Sequence, residues 1–246
     1  MIQSIHDWAA RCEALDLQSP ILGHVYNPLD YAWAGHLQYL QRFGSPRPKR
    51  VFMLGINPGP WGMTQTGVPF GDVQMVRDWM GIQAPIGQPS RPHPKRPVKG
   101  FELTRREGSG KRLWGWAAQR FGQADDFFEH AFVWAYCPLL FLKHPGAQNL
   151  TPDKLTRSDR DKLYPLCDAM LRQMLDWMRP SFAVGIGAFA TTCLQKLSTP
   201  EDPWSICRIT HPSPANPQAN HDWGATIEAQ CLEAGLDWAA LARSGA

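Results

Sequence analysis

The chain has 246 residues, of which 43% are hydrophobic and 19% charged, and this length suits one α/β core. Its formal net charge is only +3, so binding to a polyanion would require a local cluster of cations. The six cysteines show neither Cys-x-x-Cys nor Cys/His zinc spacing, which argues against a zinc site or an iron–sulfur cluster. We therefore expect a protein without a metal or other cofactor.

The amino-terminal residues and the apolar runs bear on localisation. Residues 1–18 lack a basic stretch followed by an apolar one, and no run reaches the roughly 20 apolar residues of a membrane span. Buried thiols in a reducing compartment are the ordinary interpretation of the cysteines. We expect an intracellular protein that contacts no membrane, cytoplasmic or nucleoid-associated in a bacterium and nuclear in a eukaryote. No heptad pattern requires an oligomer, so a monomer is expected.

Apolar periodicity divides the chain into alternating helices and strands. Apolar residues at spacings of three and four predict helices at residues 3–15, 28–43, 72–81, 111–121, 158–178, 188–197 and 220–234. Short apolar runs bounded by turn residues predict strands at residues 51–54, 131–136, 182–186 and 205–210. Strands that alternate with helices form a parallel sheet covered on both faces. The sequence therefore predicts a single α/β domain that spans residues 1–246.

A loop rich in glycine and proline follows the first predicted strand. It runs from Gly55 to Asp72 and reads GINPGPWGMTQTGVPFGD, so its backbone can turn tightly and approach a flat ligand closely. Asn57 lies at the tip of the strand, and its amide both donates and accepts hydrogen bonds without titrating. On these residues alone, an ordinary turn is the simpler interpretation.

A second polar residue follows the last predicted strand. His211 comes directly after residues 205–210, titrates near neutral pH, and precedes the proline-rich stretch 212–218. In open α/β sheets, the loops at the carboxyl ends of the strands line the ligand crevice. The sequence therefore predicts that Asn57 and His211 face one cleft.

Residues 85–112 form the least globular part of the sequence. They combine prolines and glycines with a dense set of cations, which are Arg91, Lys95, Arg96, Lys99, Arg105, Arg106, Lys111 and Arg112. A solvated linker is the ordinary interpretation of such a run. Contact with phosphate groups is the alternative, because the run follows the glycine-rich loop and carries most of the local positive charge. We predict a basic, proline-rich insertion within the single domain.

These motifs resemble those of a known family. Residues 55–72 and 211–223 are similar to the two signature motifs of the single-strand-selective monofunctional uracil-DNA glycosylases. The similarity also runs through residues 73–79, 93–98, 136–141 and 149–152. The resemblance implies a three-layer α/β/α sandwich around a mostly parallel four-stranded sheet. It also implies a monofunctional DNA glycosylase that hydrolyses the N-glycosidic bond of uracil in DNA and so initiates base excision repair.

The resemblance implies roles for individual residues. Asn57 would position the attacking water, and His211 would donate a hydrogen bond to the carbonyl oxygen of the departing base. Phe70 would stack on the flipped base, although on the residues alone a core position is equally open. The other positions implied for the base pocket are Ile56, Gly59, Met63 and Ala135. The loop implied to fill the gap in the DNA consists of Ser213, Pro214, Ala215, Asn216, Pro217 and Gln218.

Two positions depart from the family pattern. Ala135 stands where relatives carry an asparagine that reads the edge of uracil, and such an amide is worth about 1–3 kcal/mol of discrimination. We therefore expect less strict selection of uracil. Ala215 stands where relatives often carry an arginine in the wedge. Either duplex substrates are then handled poorly, or Pro214 or Asn216 acts as the wedge.

The residues leave three functions open, in decreasing order of preference. The first is hydrolysis of uracil, with other deaminated bases as further candidates, and the absence of lysine from both motifs favours simple hydrolysis over a Schiff-base lyase step. The second keeps the reaction but shifts the base to xanthine or hypoxanthine, because Ala135 leaves room for a larger ring. The third is a damaged-DNA-binding protein without catalysis.

Overall fold

The computed structural model describes residues 1–45 and 47–244, with side chains up to Arg243. The strands, in chain order, are β1 (Leu22–Tyr26), β2 (Val51–Gly55), β3 (Ala131–Ala135), β4 (Leu140–Lys143), β5 (Asn149–Leu150), β6 (Phe182–Ile186) and β7 (Ser205–Ile209). The α-helices are α1 (Ile2–Glu13), α2 (Pro28–Tyr31), α3 (Trp33–Phe43), α4 (Met63–Thr66), α5 (Gly108–Phe121), α6 (Ala124–His130), α7 (Arg157–Met178), α8 (Ala188–Leu197), α9 (Trp223–Glu233) and α10 (Trp238–Ser244). Within the described residues, no helix is both long enough and apolar enough to cross a membrane.

The central sheet has four parallel strands in the order β3-β2-β6-β7. Strand β2 lies inside the sheet, with Leu54 paired to Trp134 of β3 on one side and to Gly185 of β6 on the other. Every residue of β2 and β3 is buried, as expected for strands covered on both faces. The predicted α/β sheet flanked by helices is therefore confirmed.

The strand order places a crevice at the carboxyl end of β2. The chain adds β3 on one side of β2 and later adds β6 on the other, so the loops after neighbouring strands diverge there. One continuous apolar core, which extends from Ile5 to Leu241, holds the helices against the sheet. The loops after β2, β3 and β7 thus open from a rigid base.

A second, smaller sheet was not predicted from the sequence. Strands β1, β4 and β5 form an antiparallel sheet in that order. Strand β5 has only two residues, Asn149 and Leu150, which is too short for any periodicity to appear. Helices α6 and α10, seven residues each, were also missed because they span barely two turns.

Two predicted helices differ from the observed ones. The helix predicted at residues 28–43 is interrupted at Ala32, where a Cβ on Gly67 would lie only 2.5 Å from the carbonyl oxygen of Ala32. The glycine-rich loop therefore packs into this break. The helix predicted at residues 72–81 contains a π-helical turn, Met75–Trp79, with a hydrogen bond of 3.0 Å from the amide of Met80 to the carbonyl of Met75.

Candidate active site

A cavity of about 420 Å³ opens at the carboxyl ends of β2 and β3. Most of the residues predicted for the site line it, namely Ile56, Asn57, Gly59, Met63, Phe70, Ala135, His211, Ser213 and Pro214. The loops after β2 and β7 therefore converge on one cavity, as expected. Asn57 and His211, the two polar side chains with a proposed chemical role, therefore line the same cavity.

The amide of Asn57 is held in one orientation by the small sheet. Its Nδ2 donates to the carbonyl oxygen of Leu139 at 3.1 Å and to that of Leu150 at 3.2 Å. Because two carbonyl oxygens can only face the NH₂ group, the assignment of nitrogen and oxygen is chemically fixed. The Oδ1 atom is the end of the amide left to accept a hydrogen bond in the cavity.

The ring of His211 is also oriented by backbone groups. The amide of Ser213 donates to Nδ1 at 3.1 Å, so in the neutral ring the proton is on Nε2. Burial lowers the pKa of His211 from its ordinary value of 6.5. Asn216 closes the turn by donating from Nδ2 to the carbonyl of His211 at 3.2 Å. His211 therefore presents a neutral imidazole to the cavity, with Nε2–H as its hydrogen-bond donor.

Phe70 is held in an unusual backbone conformation beside these two residues. Its φ of 51° lies in the left-handed region, which is uncommon for a bulky side chain. The carbonyl oxygen of Phe70 accepts from Nε1 of Trp114 at 2.9 Å and from the amide of Asp72 at 2.7 Å. Gly55 leaves space for the ring, since a Cβ there would lie 2.7 Å from it. The Phe70 ring is thus a fixed wall, with its centroid 6.2 Å from that of His211.

The end of the glycine-rich loop is fastened by a buried carboxylate. Asp72 is fully buried and accepts from Nε of Arg106 at 2.9 and 3.0 Å, from the amide of Glu107 at 2.8 Å and from that of Met75 at 3.3 Å. A buried carboxylate is tolerated only when such donors replace its water shell. Asp72 therefore joins the loop that carries Phe70 to the segment that begins α5.

Comparison with known proteins identifies the family. The profile of the uracil DNA glycosylase superfamily matches residues 41–229. The single-strand selective monofunctional uracil DNA glycosylase of Bos taurus is 42% identical over 219 residues, covering 89% of this chain and 80% of the relative. The Mus musculus enzyme of the same name is 43% identical over 230 residues, covering 92% of this chain and 81% of the relative. The chain belongs to this family. The resemblance expected from the motifs is confirmed.

A solved structure supports the fold of this family member. The crystal structure of wild-type SMUG2 from Pedobacter heparinus superposes with a TM-score of 0.65 at 16% identity, covering 95% of this chain and 97% of that chain. At this identity the likeness concerns the fold alone. It agrees with the parallel sheet and flanking helices described above.

Within this glycosylase, Ala135 is the pocket residue for which the resemblance predicts a departure from the family pattern. It is the last residue of β3, only 7% exposed, and its methyl group lines the cavity. A methyl group cannot hydrogen-bond to the edge of a base. Any reading of that edge must come from other groups, and Asn149 and Thr151 are polar residues in the same lining.

Several cavity residues of the glycosylase were not predicted, among them Glu107, Ser109, Asn149 and Thr151. Glu107 caps α5 by accepting from the amides of Ser109, at 3.1 Å, and Gly110. Burial raises the pKa of the Glu107 carboxyl, and these two amides oppose the shift. A polar residue before a helical run is a sequence signal for a cap, but the basic residues around Glu107 suggested a linker instead.

The loop after His211 projects from the glycosylase surface. Pro214, Ala215, Pro217 and Gln218 are exposed, and Asn216 is half-buried. The loop is braced by Arg112, whose guanidinium donates to the carbonyl of Pro212 at 2.8 Å and to the side chain of Asn220 at 3.3 Å.

Not every residue of that loop reaches the main cavity. Only Ser213 and Pro214 line it, together with His211. Asn216 and Gln218 line a separate cavity of about 320 Å³ behind His211, and Ala215 and Pro217 line neither. The outer part of the loop is therefore a surface feature.

Proposed function

We propose that this protein hydrolyses the N-glycosidic bond of uracil in DNA, with Asn57 and His211 as its catalytic residues. The observation that supports this most is that both side chains line one cavity with their reactive atoms oriented by backbone contacts. Asn57 keeps Oδ1 as its available atom, and His211 keeps Nε2–H. One accepts and the other donates, which are the two hydrogen-bonding roles that the reaction requires.

The departing base takes the electron pair of the glycosidic bond. Its negative charge is then shared with a ring carbonyl oxygen, to which Nε2–H of His211 donates a hydrogen bond. A preorganised donor of this kind is worth roughly 3–4 kcal/mol of transition-state stabilisation in other enzymes. Burial lowers the pKa of His211, so this donor is a neutral imidazole at neutral pH.

Water completes the reaction at the sugar carbon. Oδ1 of Asn57 accepts a hydrogen bond from the attacking water and holds it against the carbon as positive charge develops there. The water oxygen bonds to that carbon and its released proton passes to solvent, while the base anion takes up a proton from solvent, so the products are a free base and an abasic site. Because an amide cannot take up the proton, Asn57 contributes position rather than basicity.

Phe70 and the rest of the lining bind the base. The Phe70 ring offers its face to a planar heterocycle, and Gly59 with the backbone at Ile56 and Met63 shapes the pocket around it. A second candidate substrate is a deaminated purine, xanthine or hypoxanthine. The short side chain of Ala135, at a position where the resemblance implies an asparagine, favours this second candidate.

The DNA contact is proposed for the projecting loop that consists of Ser213, Pro214, Ala215, Asn216, Pro217 and Gln218. Its exposed residues face outward beside the cavity. With a methyl group at Ala215, the loop has little bulk with which to replace a flipped nucleotide in a duplex. We therefore propose single-stranded DNA as the preferred substrate of a monomeric, single-domain enzyme that acts in the compartment that holds DNA.

The test is release of free base from single-stranded oligonucleotides that differ only in one residue: uracil, xanthine, hypoxanthine or none. The parent is compared with Asn57→Ala, His211→Ala and His144→Ala, the last being an exposed histidine in the turn after β4. We expect uracil release that falls at least tenfold in the first two variants and is unchanged in the third. A parent that releases none of the bases would leave a DNA-binding protein as the conclusion.

A further inference from the structure

Two arginine side chains stack on a tryptophan at the rim of the cavity. Trp61 lies in the glycine-rich loop between Pro60 and Gly62, both of which line the cavity. The guanidinium carbon of Arg105 lies 4.4 Å from the centroid of the Trp61 ring, and that of Arg96 lies 5.4 Å from it. Both distances are within the range of cation–π contacts, so the Trp61 ring helps to position the two guanidinium groups.

The segment that supplies these arginines is fastened to the loop by Gln65. This buried side chain donates from Nε2 to the carbonyls of Pro60, at 2.8 Å, and Pro97, at 3.1 Å. Its Oε1 accepts from the amides of Lys99, at 2.8 Å, and Gly100, at 3.1 Å. The interpretation of residues 85–112 as a solvated linker is therefore wrong for this part. Three of these four hydrogen bonds, those to Pro97, Lys99 and Gly100, set the position of the segment beside the loop.

The charge of this surface is not neutralised within the protein. Across residues 1–45 and 47–244, no carboxylate forms an ion pair with Arg91, Lys95, Arg96 or Arg105. The next cation, Arg106, is different, because its guanidinium is bound to the buried carboxylate of Asp72. Only part of the segment's positive charge is therefore used structurally.

The chemistry of a stacked arginine indicates the ligand. Stacking occupies the face of a guanidinium and leaves its N–H edge for hydrogen bonds, and the edge of the exposed Arg105 matches the oxygens of a phosphate in a bidentate contact. On Arg96, Nη1 already donates to the carbonyl of Lys95 at 2.8 Å, so Nη2 is the group that remains for a phosphate oxygen. Proteins that bind single strands combine such cations with aromatic rings along the path of the backbone. We propose that Arg96 and Arg105, held on Trp61, bind the phosphodiester backbone of the DNA strand beside the flipped nucleotide. This inference rests on the proposed function, which places that nucleotide in the cavity.

The experiment measures binding rather than cleavage. A fluorescent single-stranded oligonucleotide with one 2′-fluorinated deoxyuridine, whose glycosidic bond breaks slowly, is titrated by anisotropy at several salt concentrations. The variants are Arg105→Ala and the double variant Arg96→Ala/Arg105→Ala. The matched control is Arg47→Ala, since Arg47 is also exposed and stacked on a tryptophan, Trp177, but precedes β2 at the opposite end of the sheet.

Each lost phosphate contact should reduce the slope of log affinity against log salt by about 0.7 for a single strand. We expect a reduction of about 0.7 in Arg105→Ala, about 1.4 in the double variant and none in Arg47→Ala. An unchanged slope in the double variant overturns the proposal, as does an equal reduction in the control. Thermal melting shows whether each variant is folded, and Arg105→Lys, which keeps the charge without the planar fork, should restore part of the slope.

A second measurement locates the contact. Phosphates of the same oligonucleotide are replaced one at a time by neutral methylphosphonates, and the parent should lose affinity at one or two positions next to the modified uridine. In the double variant, those replacements should have no further effect. If the same replacements still reduce the affinity of the double variant, the contact lies elsewhere. Tighter binding of an RNA of the same sequence would overturn the assignment to DNA.

The outcome is separable from that of the proposed function. Uracil release by the parent is assayed on the unmodified uracil oligonucleotide in parallel. A parent that releases uracil with an unchanged slope in the double variant overturns the arginine contact alone. A parent that releases no base but shows the expected slopes keeps the phosphate contact and overturns its placement beside a flipped nucleotide.

Discussion

Replacement of Asn57 by aspartate tests whether the orientation of the amide, rather than its basicity, governs the site. The change swaps Nδ2 for an oxygen of nearly the same size. In the parent, Nδ2 donates to the carbonyls of Leu139 and Leu150 at 3.1 and 3.2 Å. In Asn57→Asp, both carbonyls lose the Nδ2 donor and face a carboxylate oxygen instead; the thiol of Cys137, 3.9 Å from the carbonyl oxygen of Leu139, is only a weak donor. The substitution thus introduces a stronger base, but its negative charge lies next to two carbonyl oxygens, which destabilise it.

The magnitude follows from those two contacts. A buried acceptor left without a donor costs about 1–3 kcal/mol, so the free energy of unfolding should fall by roughly 2–6 kcal/mol at neutral pH. Uracil release should fall at least as far as in Asn57→Ala. On acidification, the introduced carboxyl can protonate and donate to one carbonyl, so part of the stability should return as the pH falls from neutral toward the ordinary carboxyl pKa of about 4.

The assay combines urea unfolding with single-turnover base release at several pH values. Asn149→Asp is the matched control, because Asn149 is exposed and lines the same cavity, and its substitution adds the same charge. We expect the control to keep the parental stability within about 0.5 kcal/mol, as exposed substitutions usually do. The reasoning is refuted if Asn57→Asp releases uracil as fast as the parent at neutral pH and unfolds at the same urea concentration.

Three further predictions concern the supports of the site. Gly110→Ala places a Cβ against the carbonyl oxygen of Phe70, so the free energy of unfolding should fall by about 1–3 kcal/mol. An unchanged urea midpoint would contradict this close contact. Burial lowers the pKa of His36 from 6.5 to about 4, so the unfolded chain takes up the proton first as the pH falls. Stability from this group is complete above pH 6.5 and should drop by about 2 kcal/mol by pH 5, a loss that His36→Asn should abolish in urea titrations. Arg112→Ala removes a charged hydrogen bond to the carbonyl of Pro212, so kcat/KM for base release should fall roughly tenfold without a change in melting temperature; a fall in melting temperature alone would assign Arg112 to the core.

The sequence predicted the location of the site because its rule is topological. Parallel strands direct their carboxyl ends to one edge of the sheet, so a polar residue directly after β2 and another after β7 had to converge. The long, strongly periodic helices α7 and α8 were predictable for a similar reason. The apolar spacing of α7 and α8 repeats over enough residues to be recognised in the local sequence.

The orientation of the proposed catalytic side chains could not be predicted in that way. The acceptors of Asn57 are backbone carbonyls before β4 and in β5, and the sequence gives no register for a strand of two residues. The αL conformation of Phe70 depends on Trp114, which is 44 residues away in the chain. Such contacts arise from the packed structure, not from a local pattern.

The small antiparallel sheet is therefore part of the proposed site, although it lines little of it. If Asn57 and His211 both act as neutral groups, neither contributes a full charge or a strong base to the reaction, and their effect depends on where their atoms are held. Asn57 is held by carbonyls before β4 and in β5, His211 by the amide of Ser213, and Phe70 by Trp114 of α5. Because each support belongs to a different element, a substitution that loosens one element should impair one contribution without abolishing the others. In the proposed phosphate contact, the full charges of Arg96 and Arg105 on Trp61 meet a strand whose negative charge does not change during the reaction.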